Sequence, residues 1–554
     1  MIITRRRGGS TELSTMGARL CAGALALSIL LVGGCASDAG LAARPVPWTA
    51  VDTRPVVQAD PGSAMPAGWQ HGAFIEIFVR GYKDSDGDGI GDLRGVTQSL
   101  DYLQDLGIKG IWLMPVTRSG DRDHGYATTD YRRIEEAYGD LADFDELLKQ
   151  AHARGIGIII DYVVNHSAAS HPFFTAASSG PGAPYRDWYV WQDPAPLGWD
   201  IWGQNPWITT RQGTFFATFG RSMPDFNLRN PDVVAYHKDS LRFWLNRGLD
   251  GFRLDAVTHL IENSAQEWRD QPESRRLSGE LRALITSYAA RHVVCEATTS
   301  PQVYGDPDVC GSAFAFGHGG NIVKAAQGDP EAIAAVSRYF KTAPTSMATM
   351  VSNHDIFAGE RLWDQLAGDP AQYRLAAATY LLQPGTPFIY YGEEIGMAGV
   401  TSLSGDASLR TPMSWTGDRR TGGFTAGQPF RPVSPNAATH NAAAQGLDPN
   451  SLLSFYKAML KLRNTLPSIA QGSYEAPFVS GRVMGYQRKL GSETTLVLIN
   501  YAAAATRLEV SELAANGTLI PVYPAAAARL SVDRAGVADI VLPAQSVRVF
   551  LLQP

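Results

Sequence analysis

The sequence predicts an α/β fold: a (β/α)8 TIM barrel with an inserted subdomain after the third strand and a C-terminal antiparallel β-sandwich. From Gly72 onward, short continuous apolar runs alternate with amphipathic helical stretches. Such runs are typical of parallel strands that are buried on both faces. Eight of them suggest a barrel whose functional residues lie at the carboxyl ends of the strands. After about Leu466 the helical pattern ends and short alternating strands follow.

Eight apolar runs predict the barrel strands, and the stretches between them predict helices. The predicted strands are Ala73–Val79, Gly110–Pro115, Ile158–Val164, Gly251–Ala256, His292–Ala297, Ala313–Gly317, Ala348–Asn353 and Pro387–Gly392. The helix candidates include Asp143–Arg154, Asp232–Arg247 and Ala371–Leu382. The predicted strands of the sandwich include Arg482–Arg488, Thr494–Asn500 and Ser546–Leu552.

One connection is too long for a simple loop. Residues 165–231 are rich in Trp, Pro and Gly, and a structureless loop of that length is uncommon in a compact domain. We therefore predict an inserted subdomain there. The barrel then comprises residues 71–164 and 232–466, and the sandwich comprises residues 467–554.

The composition excludes some classes of protein. Hydrophobic residues make up 45% of the 554 residues and charged residues 18%, which excludes wholesale disorder. Lys and Arg number 48 against 54 Asp and Glu, for a net charge of −6, and there is no long basic run. We therefore expect no nucleic-acid partner, because phosphate neutralisation needs a basic surface.

The first residues predict export. Residues 1–19 carry four arginines and one acid, and the apolar run Leu20–Val32 follows. This run is too short to span a bilayer and suits a signal peptide over residues 1–34. Small residues directly before Cys35 resemble a bacterial lipoprotein signal, and a plain secretory signal is the alternative. We expect an exported protein that faces the periplasm or cell exterior, held at the membrane by a lipid on Cys35 and a flexible tether over residues 35–70.

Signal cleavage changes the cysteine count. Cys21 would leave with the signal and Cys35 would carry the lipid, so Cys295 and Cys310 remain. An oxidising compartment permits a disulfide between them, although sequence alone does not give their separation. Two buried thiols are the alternative.

Several predicted strands end in charged or amide side chains, which an apolar core does not ordinarily tolerate. These residues are Asp161, Asn165, His166, Arg253, Asp255, Glu296, Asn353, His354 and Asp355. Any one of them could be an ordinary strand-ending group bonded to a loop. Because the carboxyl ends of the barrel strands meet at one rim, we expect them together to form a site.

The same residues belong to motifs in a fixed order. The motifs are Asp161-Tyr-Val-Val-Asn165-His166, Gly251-Phe-Arg253-Leu-Asp255, Cys295-Glu296 and Ser352-Asn353-His354-Asp355, followed by Leu382–Glu394 and Leu409–Met413. They resemble the signature regions of the α-amylase family, glycoside hydrolase family thirteen, over about residues 72–463. Met223–Asn227 also resembles a motif of members intermediate between oligo-1,6-glucosidases and neopullulanases, from which Phe226 departs.

The resemblance implies roles for nine residues. Its catalytic residues would be Asp255 as nucleophile, Glu296 as acid/base, and Asp355 as a clamp on sugar hydroxyls and transition-state stabiliser. Its substrate-binding residues would be Tyr126, Asp161, His166, Arg253, His354 and Arg410. Tyr126 would stack on the sugar being cleaved, and the two histidines would hydrogen-bond to its hydroxyls.

The chemistry of a retaining glycosidase suits these residue types. It needs a nucleophilic carboxylate and a carboxylic acid, about 5–5.5 Å apart. Arg253 lies two residues before Asp255, so both side chains project from the same face of one strand. A fixed cation there favours the ionised nucleophile. Glu296 must instead hold a proton near neutral pH, which nearby carboxylates favour.

Two positions inform specificity. Ala256 follows the nucleophile, where members acting on α-1,6 bonds often have Val, and this favours α-1,4 bonds in starch or maltodextrins. Ala127 follows Tyr126, where exo-acting α-glucosidases often carry Asp, and this favours endo action. An exo-acting α-glucosidase, a transglycosylase of the same family and a non-catalytic glucan-binding protein are the alternatives. The expected partner is an α-glucan or maltooligosaccharide, and the expected state is a monomer.

An acidic loop predicts a metal site. Asp84, Asp86 and Asp88 alternate as in an EF-hand loop, with Gly at the sixth position but no acid at the twelfth. Three neighbouring carboxylates repel one another without a cation. We expect Ca²⁺, or Mg²⁺ in the same loop, bound by these residues with Asp92 and the Ile90 carbonyl; a solvated acidic turn is the alternative.

Six aromatic residues crowd the predicted insertion: Trp188, Tyr189, Trp191, Trp199, Trp202 and Trp207. Core packing of a small subdomain explains most of them. Stacking on sugar rings would explain one or two.

Overall fold

The computed structural model describes residues 51–553. Its strands are β1 (Phe74–Ile77), β2 (Gly110–Leu113), β3 (Thr117–Ser119), β4 (Thr128–Ile134), β5 (Gly157–Val163), β6 (Trp207–Thr210), β7 (Gly213–Phe216), β8 (Gly251–Asp255), β9 (His292–Cys295), β10 (Ala348–Thr349), β11 (Thr386–Tyr390), β12 (Ser473–Ser480), β13 (Val483–Leu490), β14 (Glu493–Asn500), β15 (Thr506–Val510), β16 (Thr518–Tyr523), β17 (Leu530–Ser531), β18 (Ala538–Leu542) and β19 (Ser546–Gln553). Its α-helices are α1 (Val79–Tyr82), α2 (Leu93–Gln98), α3 (Leu100–Leu106), α4 (Leu141–Ala153), α5 (Pro172–Ala177), α6 (Pro231–Leu245), α7 (Pro272–Thr286), α8 (Pro301–Tyr304), α9 (His318–Ala326), α10 (Pro330–Tyr339), α11 (Leu362–Gln365), α12 (Pro370–Leu382), α13 (Ala442–Gln445), α14 (Leu452–Thr465) and α15 (Pro467–Gln471).

Seven parallel strands form most of the barrel wall, in the order β10-β11-β1-β2-β5-β8-β9. Between β9 and β10 the wall continues through single parallel bridges, from Cys295 to Ala313 and from Phe314 to Ala348. The predicted TIM barrel is confirmed, but the predicted sixth strand is reduced to these bridges. Gly317, at its end, has a φ of 85°, and a left-handed residue cannot continue an extended strand.

Side chains fill the interior of the barrel. Phe74 stacks on Phe388 with ring centroids 4.8 Å apart, and Trp112 contacts Phe314 at 5.2 Å. A Cβ at Gly110 would lie 2.3 Å from the Phe74 ring, so β2 needs glycine to pass that ring. Because this layer fills the interior, the space for a ligand lies at the rim.

An inserted subdomain follows β5, as the predicted fold class requires, and it contains α5 and the hairpin β6–β7. A bridge between His166 and Asp225 ties its two ends together at the rim. Tyr189 is 2% exposed, as expected of a core residue, whereas Trp202 is 59% exposed. Core packing therefore accounts for Tyr189 and leaves Trp202 unexplained.

The C-terminal strands form a sandwich, as predicted. A six-stranded antiparallel sheet, β12-β13-β14-β19-β16-β17, packs against the pair β15–β18. Alternate residues of β14 serve two cores, because Leu496 and Leu498 face the β15–β18 pair while Val497 and Ile499 join the core of the barrel. The sheet is therefore fixed to the barrel by its second face.

The prediction of a flexible tether is wrong for its second half. Residues 51–68 contain no helix or strand, yet the backbone N–H of Ala59 donates to Asn246 Oδ1 and that of Ala289 donates to Asp60, both at 2.9 Å. The composition indicated a lack of regular structure, which does not exclude contacts with the barrel. The predicted signal peptide, Cys35 and the start of the tether lie outside the described residues.

Within residues 51–553, no helix combines the length and apolar character needed to cross a bilayer.

Candidate active site

A cleft of about 590 Å³ lies at the carboxyl ends of the barrel strands, beside the inserted subdomain. The residues that line it are His124, Tyr126, His166, Trp202, Phe219, Met223, Asp255, Ala256, His259, Arg269, Glu296, Thr298, Asp355, Phe357, Asp406 and Arg410. The remaining predicted site residues, Asp161, Arg253 and His354, are buried and hydrogen-bonded to residues of the lining. The structure thus brings all nine predicted residues together.

Arg253 connects three carboxyl groups at the floor of the cleft. It lies on β8 in register with Asp161 on β5, and it is 1% exposed. Its Nη1 donates to Asp161 Oδ1 at 2.8 Å and also to Asp255 Oδ1. Its Nη2 lies 3.1 Å from Glu296 Oε2. The two carboxyl groups predicted to react therefore bind neighbouring nitrogens of one guanidinium.

Burial and charge act in opposite directions on these groups. Burial raises the pKa of Asp255 well above its ordinary value; the Arg253 guanidinium lowers it, and the Glu296 carboxylate raises it further. Burial likewise raises the pKa of Asp161 against the effect of Arg253. The guanidinium acts on Asp255 as predicted, but burial outweighs it. One cation thus offsets the burial of the carboxyl groups around it only in part.

The backbone after β8 positions Glu296. The N–H of Ala256 donates to Glu296 Oε2 at 3.0 Å, and Ala256 has a φ of 49°. A left-handed conformation is uncommon for a residue other than glycine and clusters at functional sites. Cys295, which directly precedes Glu296, forms a disulfide with Cys310. Of the two alternatives for these cysteines, the structure therefore has the disulfide and not two buried thiols.

A second polar network surrounds His354. The Tyr126 hydroxyl lies 2.7 Å from His354 Nε2, and Nδ1 binds Glu76 Oε1. Although burial disfavours a charged ring, Asp355 and Glu76 raise the pKa of His354 to about 10. The imidazolium and Arg410 in turn hold the pKa of Asp355 far below its usual range, against the effect of burial. Asp355 is thus an anion at every physiological pH.

His166 is a neutral histidine of the site. It is 2% exposed, and burial lowers its pKa to about 3. Its ring centroid lies 5.1 Å from that of Phe219 at the cleft wall. A neutral imidazole can either donate to or accept from a sugar hydroxyl.

Sequence reasoning missed three charged residues of the site: Glu76, Asp406 and Arg269, which lines the cleft. Glu76, on β1, binds His354, and Asp406 Oδ2 lies 3.1 Å from Arg410. Glu76 is a lone acid in an otherwise apolar strand, and this signal could have identified it. Asp406 lies in a loop without a comparable signal.

The acidic loop lies apart from this cluster. Asp84, Asp86 and Asp88 place ligand oxygens within 4.8 Å of one another. Although burial acts in the other direction, hydrogen bonds from Thr425 and backbone N–H groups hold the pKa of Asp84 below its usual value. Asp92 accepts the N–H of Gly95 at 2.7 Å and caps α2.

Comparison with known proteins agrees with this geometry. The family model described as the α-amylase catalytic domain matches residues 76–472, which contain every carboxyl group of the cleft. The chain belongs to the α-amylase family. This confirms the resemblance seen in the motifs, and the protein is a glycoside hydrolase.

Relatives of this α-amylase-family enzyme carry several activity names. It is 32% identical over 499 residues to trehalose synthase/amylase TreS of Mycobacterium tuberculosis, covering 79% of this chain and 82% of the relative. It is 31% identical over 536 residues to a probable α-glucosidase of Rhizobium meliloti, covering 84% and 97%. The crystal structure of an α-amylase from H. orenii superposes with a TM-score of 0.76 at 30% identity, covering 88% and 100%.

Proposed function

We propose that this α-amylase-family enzyme hydrolyses α-1,4-glucosidic bonds in starch-derived dextrins, with retention of anomeric configuration through a covalent glycosyl-enzyme. The observation that carries the proposal is the contact of Asp255 and Glu296 with one guanidinium, that of Arg253. This holds a nucleophile and an acid side by side, as a double displacement requires.

The reaction starts from the state in which Asp255 is ionised and Glu296 holds the proton. Asp255 attacks the anomeric carbon while Glu296 gives its proton to the leaving oxygen, so the glycosidic bond breaks as an ester bond forms. Water then attacks the same carbon, gives a proton to Glu296 and releases Asp255. Water thereby restores both groups to their starting states.

The second network would hold the sugar. Asp355 lines the cleft and is ionised, so it can form charge-assisted hydrogen bonds with sugar hydroxyls. His354 is fully buried, and its ring nitrogens contact Glu76, Tyr126 and Asp355, so it would orient Tyr126 and Asp355 instead of binding the sugar directly. Arg410 Nη2 donates to Asp355 Oδ1 at 2.7 Å and fixes its direction. Tyr126 offers the aromatic face on which the sugar ring would stack.

The linkage preference rests on two small residues. Ala256 lines the cleft directly after the nucleophile, where a larger residue is common in enzymes for α-1,6 bonds. Ala127 supplies no polar group beside Tyr126. Both support α-1,4 bonds within a glucan chain.

One observation favours an exo-acting α-glucosidase as the second candidate. Arg431 forms an ion pair with Asp123 at 2.9 Å and donates to the backbone carbonyl of Arg410 at 2.9 Å. This pair links the loop that leads to Tyr126 with the segment near Arg410, which would narrow the cleft at that side.

Product analysis separates these functions. The purified enzyme should release maltooligosaccharides from amylose and maltoheptaose, with little action on pullulan or trehalose. Release of glucose alone from maltoheptaose would identify the exo-acting alternative, and products longer than the substrate would identify transfer. Glu296→Gln should lose nearly all turnover, whereas a non-catalytic glucan-binding protein would keep its function.

We further propose that the acidic loop binds Ca²⁺ in preference to Mg²⁺. Ca²⁺ accepts six to eight oxygen ligands in flexible geometry. Asp84, Asp86 and Asp88 supply them, with the Ile90 carbonyl and Asp92 as further ligands; the hydrogen bonds of Asp92 do not use all of its lone pairs. Calorimetry should show Ca²⁺ binding and a melting temperature that falls in a chelator. Asp86→Asn should abolish both effects, and the exposed control Asp101→Asn should not.

We also propose that the protein is an exported lipoprotein, anchored by Cys35 and monomeric. A disulfide between Cys295 and Cys310 supports an oxidising compartment. Cys35→Ser should move the protein from the membrane fraction to the soluble exported fraction without loss of activity. Retention at the membrane would contradict the anchor.

A further inference from the structure

A tryptophan lies at the tip of a tight turn in the inserted subdomain. Ile201 and Gln204 exchange backbone hydrogen bonds of 2.8 and 3.0 Å, so Trp202 and Gly203 form a two-residue hairpin turn. Both have positive φ, 50° and 81°, as in a type I′ turn. Asn, Asp and Gly suit such positions, whereas a bulky aromatic residue there is a conformational outlier.

Burial does not explain this outlier. Trp202 is 59% exposed, while its neighbour Ile201 is 2% exposed and packs in the core of the subdomain. The indole contacts Phe219, His259 and Trp268, with ring centroids 5.5–5.7 Å apart. Part of its surface is therefore free, and Trp202 lines the catalytic cleft. Residues whose backbone strain is not offset by burial of the side chain are typical of functional sites.

Contacts through the segment after β8 connect this turn with the proposed general acid. Glu296 Oε2 accepts the N–H of Ala256, and His259, three residues later, touches the Trp202 ring. Thr298, two residues after Glu296, lines the same cleft as Trp202. A series of short contacts therefore connects Glu296 with the indole.

We propose that Trp202 is a specificity-determining residue that stacks on the sugar ring of the leaving group. The inference rests on the proposed function, because it takes Glu296 as the acid. An indole face covers the apolar C–H surface of a sugar ring and removes it from water. In the second step the same surface holds an incoming sugar, so Trp202 also favours transfer over hydrolysis.

The turn geometry allows a substitution that removes the indole without destabilising the turn. Trp202→Asn suits a type I′ turn better than tryptophan, so the melting temperature should stay the same or rise. The stacking surface is lost, and kcat/KM for maltotriose should fall about tenfold, the change expected for one aromatic contact. The leaving group of α-glucosyl fluoride has no ring and cannot contact the indole. Trp202→Asn should therefore cleave this substrate at a rate within about twofold of that of the unsubstituted enzyme.

Two controls complete the experiment. Trp202→Phe keeps an aromatic face and should recover most of the activity on maltotriose. Leu197→Asn changes another exposed residue of the same subdomain, 94% exposed and outside the cleft lining, and should leave both substrates unaffected. Transfer products at high maltotriose concentration should decrease in Trp202→Asn alone.

Each other result overturns the proposal. An equal loss on both substrates would show that Trp202 shapes the reacting centre, and a large fall in melting temperature would show a structural role. No change on either substrate would show that the indole binds no sugar. If the unsubstituted enzyme cleaves neither substrate, the proposed function is wrong and this inference falls with it, whereas an active enzyme with an insensitive variant overturns only the role of Trp202.

Discussion

At the scale of the residue, Glu76 acts with Asp355 to keep His354 charged. Glu76 is 1% exposed and binds His354 Nδ1, whose ring has its pKa raised to about 10. Glu76→Gln keeps the shape but removes the charge, so kcat should fall about tenfold, the worth of one charge-assisted hydrogen bond. The raised pKa means that the charged His354 stabilises the site fully below pH 6.5 and that this stabilisation is lost as the pH rises through 10. Without the Glu76 charge the pKa of His354 should fall, so the alkaline limb of the pH–rate profile should move to lower pH.

The control for this variant is Glu331→Gln, on the exposed side of α10, which should change neither kcat nor the profile. Burial also raises the pKa of Glu76 itself. An unchanged alkaline limb in Glu76→Gln would mean that Glu76 already carries a proton and that the pair is neutral.

At the scale of the element, the barrel wall is weakest between β9 and β10. Only single bridges through residues 313 and 314 connect these two strands, and the disulfide from Cys295 to Cys310 crosses the same region. Its loop spans 15 residues, for which loop closure predicts about 3 kcal/mol of stability. Cys310→Ala should therefore lower the denaturant midpoint in non-reducing buffer. A reductant should lower the midpoint of the unsubstituted enzyme to the same value. If neither the substitution nor the reductant changes the midpoint, the disulfide has no structural role.

At the scale of the whole molecule, the segment before β1 belongs to the barrel. Met65 and Trp69 are 5% and 4% exposed, and the Trp69 indole donates to the backbone carbonyl of Ala290 at 3.1 Å. A chain that begins at residue 72 should lose at least about 3–5 kcal/mol, the usual cost of removing one buried tryptophan. A chain that begins at residue 51 should melt like the full-length protein in scanning calorimetry. Equal melting temperatures for these two chains would support the prediction of a flexible tether.

The barrel strands could be predicted because their signal is local. The run Gly251–Ala256 differs from β8 by one residue, since a buried parallel strand is continuously apolar until its polar end. The prediction of the sixth strand was wrong because an apolar run does not reveal whether the neighbouring strands supply hydrogen bonds along its whole length. Glu76 was missed for a related reason: its partner lies 278 residues away, and no local pattern indicates that pairing.

The sequence by itself determined the fold class, the family and nine of the groups around the cleft, because periodicity and ordered motifs are carried by residues close together along the chain. Only the tertiary structure decided how those groups share charge and exposure. Arg253 serves three carboxyl groups, His354 becomes a cation and Trp202 stays exposed through contacts between distant segments. Such properties depend on distance and burial in space, which the order of residues does not state.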